Sequence, residues 1–144
     1  MSHSAAVSHT LTQSRSTSTL ADAIPLAGRV LLSAIFVISG MSKLAAPAAT
    51  IGYIESAGLP LAPLGFALAV IIEVLGGIAL IAGYRTRLIA AGLALFTLAT
   101  AVAFHNNLAD QNQFIHFFKN IAMVGGLLQV VAFGAGRFSL DARR

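Results

Sequence analysis

Glu73 stands near the middle of Leu61–Gly83, a stretch that carries no other charge and is long enough to cross a bilayer. A carboxylate at that depth costs about 2.5–3.5 kcal/mol on insertion scales and calls for a partner or a wet cavity. Other polar residues gather at a similar level once each apolar run is given a rise of about 1.5 Å per residue. If the first run ascends, Ser39 and Lys43 lie in its outer part. Glu73 then lies near the midplane, His105 ends the third run, and His116, Lys119 and Asn120 open the fourth. Residues remote in sequence converge on one layer, with Glu73 beneath it.

Two readings of this layer stay open. In the first it is a pocket for a quinone or a similar small aromatic whose lipid tail enters from the membrane. Glu73 would be the proton donor or acceptor, His105 a proton relay to the outer side, and Lys119 with Asn120 the partners of a ring carbonyl. Lys43 would complete the set. In the second the layer is structural. Lys43 and Lys119 snorkel to water along their stems, and Glu73 is neutral or paired with one of them to lock the helices together.

Other chemistries fit less well. The chain has no cysteine, which excludes disulfides, CxxC redox pairs, Cys-ligated iron–sulfur clusters and c-type haem attachment. His105 and His116 are of a type that ligates b-type haem, but their spacing forms no specific motif. The membrane layer offers too few histidines and carboxylates for a metal site. There is no phosphate-binding loop, Ser-His-Asp set or nucleotide fingerprint. The chain therefore brings no intrinsic cofactor, and a bound quinone is the candidate ligand. Transport of hydrophobic compounds would ask for more polar positions along the helices, and for the paired broken helices of transporters.

The elements that must hold these residues follow from composition. Of 144 residues, 57% are hydrophobic and only 10% charged, with a mean hydropathy of +0.84. A soluble domain has about 25% charged residues, so this surface suits lipid. A pI of 10.4 does not indicate nucleic acid, because the basic residues form no patch and fall at the ends of apolar runs. Four spans are expected, at Ile24–Leu44, Leu61–Gly83, Leu88–His105 and Phe114–Phe133, each near the roughly 20 residues a crossing needs. The fold class is thus an all-α, four-helix transmembrane bundle. Residues 1–23, rich in Ser, Thr, Ala and His, read as a disordered tail rather than a secretory signal. Residues 24–136 form the membrane domain and residues 137–144 a C-terminal tail.

Arg15, Arg29, Arg85, Arg87, Arg137, Arg143 and Arg144 all fall on the side of the termini and the Gly83–Arg87 turn, and only Lys43 and Lys119 on the other. The positive-inside rule makes both termini cytoplasmic. Pro47–Pro60 then faces outward as a short surface helix stopped by Gly58 and Pro60, and it serves either as a connector or as a lid over a cavity between the spans. Gly76-Gly77, Gly92 and Gly125-Gly126 are expected to let helix backbones approach closely.

Read in order, the marks are Arg29, Ser39-Gly40-Met41-Ser42-Lys43-Leu44, Gly58-Leu59-Pro60, Glu73-Val74-Leu75-Gly76-Gly77, Gly83-Tyr84-Arg85-Thr86-Arg87, His105, His116-Phe117-Phe118-Lys119-Asn120, Gly125-Gly126 and Gly136-Arg137-Phe138-Ser139-Leu140-Asp141. From about Ala27 to Asp141 this series resembles the DoxX family of small four-helix bacterial membrane proteins, with a longer N-terminal tail. The resemblance implies a multi-pass protein of the bacterial cytoplasmic membrane. It implies a redox-linked role beside terminal-oxidase or thiosulfate:quinone oxidoreductase systems, or in resistance to oxidative stress and quinone-like compounds. By resemblance, the family's marked positions fall on Lys43, Glu73, His105, Lys119 and Asn120. A redox partner protein would have to supply electrons, and a homo-oligomer is a further expected partner beside the bilayer. The reading from another class is a non-catalytic membrane anchor or assembly factor, in which the arginine-rich face docks a partner protein.

Overall fold

A computed structural model of the protein describes the backbone of residues 2–144 and the side chains of residues 20–144. The helices are α1 (Ser2–Ala45), α2 (Pro47–Ser56), α3 (Ala62–Ala82), α4 (Thr86–Phe104) and α5 (Gln111–Phe133), followed by a single 3-10 turn at Asp141–Arg143. Among the described residues, four helices are long and apolar enough to cross a membrane: Leu20–Ala45 within α1, then α3, α4 and α5. They coincide with the four expected spans to within a few residues, except that α1 continues N-terminally of Ile24. Most of the expected tail, residues 1–23, lies outside the described side chains.

The turns are tight. Gly83 ends α3 in the left-handed region at φ +70°, and Arg85 opens α4 at φ +42°. Asp110 caps α5 by accepting from the Gln113 N–H at 2.9 Å.

The helices form two close pairs, α1 with α3 and α4 with α5, joined chiefly where α3 meets α4. A small central cluster holds the pairs together, built on Phe36, Leu80, Ala90, Leu93, Ala94 and Leu127. Some glycines set the approach. A Cβ on Gly77 would lie 2.8 Å from Val37 Cγ2, and one on Gly40 would lie 2.6 Å from Val74 Cγ2. Gly76 abuts Leu93 and Gly126 abuts Leu32. Gly92 and Gly125 have nothing within 4 Å of that position, so they do not bring backbones together as expected; both sit on exposed faces.

These contacts fix the register of the antiparallel α1–α3 pair. Gly40 is level with Glu73 and Val74, so α1 ends only a turn or so beyond Glu73. α3 continues outward for another 11 residues, from Glu73 to Ala62. Its outermost part, about 9 Å at the α-helical rise, has no α1 beside it. α2 takes that place, with Ile54 buried against Gly65. The short helix is therefore a wall of the bundle rather than a connector resting on top of it.

At the opposite end the expected C-terminal tail is folded back onto the α3–α4 turn. Leu140 N–H donates to Ala82 O at 3.1 Å and Asp141 N–H to Gly83 O at 2.9 Å. The Asp141 carboxylate accepts from the N–H groups of Arg85 at 2.8 Å and Thr86 at 2.7 Å, so a residue remote in sequence caps α4. The Thr86 backbone bond, above all, holds the Asp141 carboxyl below its ordinary range. The folded carboxyl thus ionises at lower pH than the free one, and the cap's contribution is complete above about pH 4 and lost on acidification below it. Asp141→Ala is expected to remove about 1 kcal/mol at neutral pH and to flatten the acid side of the melting-temperature profile. An unchanged profile would show that the cap does not support the turn.

Candidate functional site

The step from α1 to α2 leaves a cavity of about 690 Å³ among all five helices. All five expected residues line it: Lys43 from α1, Glu73 from α3, His105 at the end of α4, and Lys119 and Asn120 from α5. The walls are mainly apolar, with Phe36, Ile72, Phe96 and Met123 among them.

Its inner end is an ion pair. Lys43 Nζ donates to Glu73 Oε1 at 3.0 Å and to Ser39 Oγ at 2.7 Å, and Ser39 Oγ donates to Glu73 Oε1 at 3.2 Å. Nζ also lies 2.8 Å from Oε2, yet Oε2 is buried without a directed hydrogen bond. That contact is close but poorly aligned, so its attraction is coulombic rather than that of a true hydrogen bond. The Glu73 side chain is 8% exposed and that of Lys43 24%. Lys43 thus reaches down from the last turn of α1 to neutralise a carboxylate that could not sit there alone. Glu73 is paired with Lys43, one of the two partners expected for it, and a ligand at this end meets that pair.

The outer rim lies about 12 Å beyond Thr97, at a rise of about 1.5 Å for each of the eight steps from Thr97 to His105, both of which line the cavity. Here His105 stacks on His116 with ring centroids 5.1 Å apart. His105 Nδ1 is 2.8 Å from Gln113 Oε1. An amide oxygen only accepts, so the imidazole proton is assigned to Nδ1 and Nε2 is left as an acceptor. Lys119 Nζ is 3.0 Å from His116 Nδ1. The ammonium can only donate, which puts the His116 ring proton on Nε2. Lys119 and Asn120 stand about one turn along α5 from His116 and line the cavity.

Tyr53 of α2 stacks on Phe104 of α4 with centroids 5.3 Å apart, closing the cavity on the α2 side. α1 and α5 meet at only a few residues along their seam. Leu32 and Gly126 close it at its inner end. One and two turns outward, Ile35 and Ile38 line the cavity while being 41% and 68% exposed, and exposed Lys119 lines it from α5. The cavity is open there to the lipid-facing side.

The sequence places Ser39 in the polar layer without giving it a role, and other residues of the site are not singled out by it at all. Ser39 carried a usable signal, because it lies four residues before Lys43 and so on the same helical face. Thr97 and Thr100 line the wall but donate to the carbonyls of Leu93 and Thr97 within α4. Tyr53, which lines the cavity, and Gln113, which bonds the rim histidine from outside the lining, sat in stretches read as connections, and their partners Phe104 and His105 appear only with the fold.

A family model described as DoxX matches residues 24–106. The chain is 37% identical over 124 residues to inner membrane protein YqjF of Escherichia coli, covering 85% of this chain and 92% of that protein. It is 33% identical over 123 residues to inner membrane protein YphA of the same organism, covering 82% and 88% respectively. No solved structure matches the chain significantly.

Proposed function

The chain belongs to the DoxX family and is a multi-pass protein of a bacterial inner membrane, and from that premise we propose that it is a redox-linked subunit whose cavity binds a quinone or a similar small aromatic. The observation that carries this reading is the meeting of Lys43, Glu73, His105, Lys119 and Asn120 from four helices around one largely apolar cavity. Its volume falls within the usual range for small-molecule sites, about 300–1,000 Å³. The open α1–α5 seam suits a ligand dissolved in the bilayer, with its ring inside and its tail among the lipids.

Lys119 and Asn120 supply donors to a ring oxygen. The Lys43–Glu73 pair forms the polar inner end and exchanges a proton with the ligand, and His105 Nε2 passes it to the outer rim. With the termini cytoplasmic, as the arginines direct, that rim faces the periplasm. Electrons come from a partner protein.

The test is mass spectrometry of quinones that co-purify with the detergent-extracted protein. Wild type is expected to carry an enriched quinone, and Glu73→Gln to lose about tenfold or more of it, the worth of one charge-assisted hydrogen bond. Lys119→Met, which opens no buried ion pair, separates lost ligand contact from lost fold. No enrichment in wild type, with full complementation by Glu73→Gln, would overturn this reading in favour of a non-catalytic anchor.

A further inference from the structure

We propose that a second pocket, at the arginine-rich end of the bundle, holds the phosphodiester headgroup of an anionic phospholipid. This pocket, about 500 Å³, lies between the start of α4, the end of α5 and the folded-back C-terminal segment. Arg85, Arg87 and Asp141 give it polar walls, and Leu88 and Phe133 give it apolar ones.

The charges around it are not equally free. The Asp141 carboxylate is committed to the two N–H groups that open α4. Arg144 stacks over Tyr84, 4.6 Å from the ring centroid, and Arg137 pairs with Asp22 at 3.0 Å. The two ion pairs among the described residues leave Arg87 out. Its guanidinium lies beside Gly134 at the end of α5, with Nε 3.5 Å from where a Cβ would stand, and lines the pocket wall. Thr86 adds a side chain that lines the pocket and is 1% exposed; its hydroxyl lies beside the Asp141 carboxylate but is not aligned for a directed hydrogen bond.

The apolar walls indicate a lipid rather than a free anion. Leu88 is 65% exposed and Phe133 80%, and both stand at the ends of membrane spans, where the lipid-facing surface begins. A phosphodiester between Arg85 and Arg87 would run its acyl chains along them. Basic pockets at this level, on the side that carries the arginines, are where anionic headgroups collect.

The test is native mass spectrometry of the full chain in mixed micelles with equal dioleoylphosphatidylglycerol and dioleoylphosphatidylcholine. Wild type is expected to retain one phosphatidylglycerol in preference to phosphatidylcholine. Arg87→Gln should lower that occupancy about fivefold, the worth of one basic residue at a lipid surface. Arg143→Gln makes the same charge change outside the pocket and should leave occupancy as in wild type; Arg85→Gln repeats the reading if Arg87→Gln melts early. Three results would each overturn the proposal. They are equal retention of both lipids, an equal loss in Arg143→Gln, which would mean diffuse surface charge, and displacement by millimolar inorganic phosphate, which would mean a site for the free anion. Arginine variants that keep the lipid but lose a co-purifying protein would assign the face to protein docking instead.

Discussion

Lys43→Met destabilises the protein by about 3 kcal/mol, while Lys43→Met combined with Glu73→Gln recovers most of that loss. A buried ion pair contributes little net stability, because desolvation offsets much of the attraction, yet removing one partner strands the other and costs about 3–5 kcal/mol. The lower end applies because the Lys43 side chain keeps 24% of its exposure, against 8% for Glu73. The Ser39 hydroxyl, which donates to Glu73 Oε1, is too weak a replacement for an ammonium. Thermal unfolding in detergent of wild type, both single variants and the double variant closes the cycle. A neutral Lys43→Met would refute the lock. The cycle also separates two roles of Glu73: a double variant that is stable yet carries no quinone assigns the carboxylate to the ligand as well as to the fold.

Arg29→Leu is the other large loss, about 4 kcal/mol or more. Arg29 is 1% exposed. Nη1 donates to the carbonyls of Leu80 and Ile81, each at 3.0 Å, and Nη2 to that of Phe138. One guanidinium thus ties the end of α3 and the C-terminal segment to α1. Hydrogen bonds to charged groups are worth about 1.5–3 kcal/mol each, and the carbonyls left behind add their desolvation. The close fit is visible at Gly83, where a Cβ would lie 2.5 Å from Arg29 Nη1 and 2.4 Å from Ser139 Cβ. Lysine cannot fork across two segments, so Arg29→Lys should recover only part of the stability. Two readouts check it: the melting temperature, and the rate of tryptic cleavage at Arg137, which should rise as the C-terminal segment comes away. Wild-type values for both in Arg29→Leu would show that the segment docks without it.

The residues differ in how openly the sequence declares them. Glu73 is conspicuous because its setting is apolar for many residues on either side, and four spans follow from hydropathy alone. Arg29 looked like a flanking charge that orients the bundle. It lies on that side, but its burial depends on carbonyls that only the packed α3 end and C-terminal segment provide. The sequence left α2 open between a connector and a cover over a cavity, and it could not decide between them for a related reason. The wall that α2 forms follows from the register of α1 against α3, set by Gly40 on Val74 and Gly77 on Val37, and composition does not encode register. The same register creates the cavity, so its shape could not be read, although the level of its polar residues could. Gly92 and Gly125 show the converse limit, since a glycine in a span marks a close approach only if its face meets another helix.

The reach of Arg29 also has a consequence in time. Its bond to Phe138 spans 109 residues of sequence, so the first membrane helix carries its arginine into the bilayer long before that partner exists. At about 5–20 residues per second, synthesis of the intervening chain takes roughly 5–20 s. During that interval the guanidinium must snorkel to headgroups on its own side, which holds the first helix at the depth and facing that α3 and the last residues of the chain will later require.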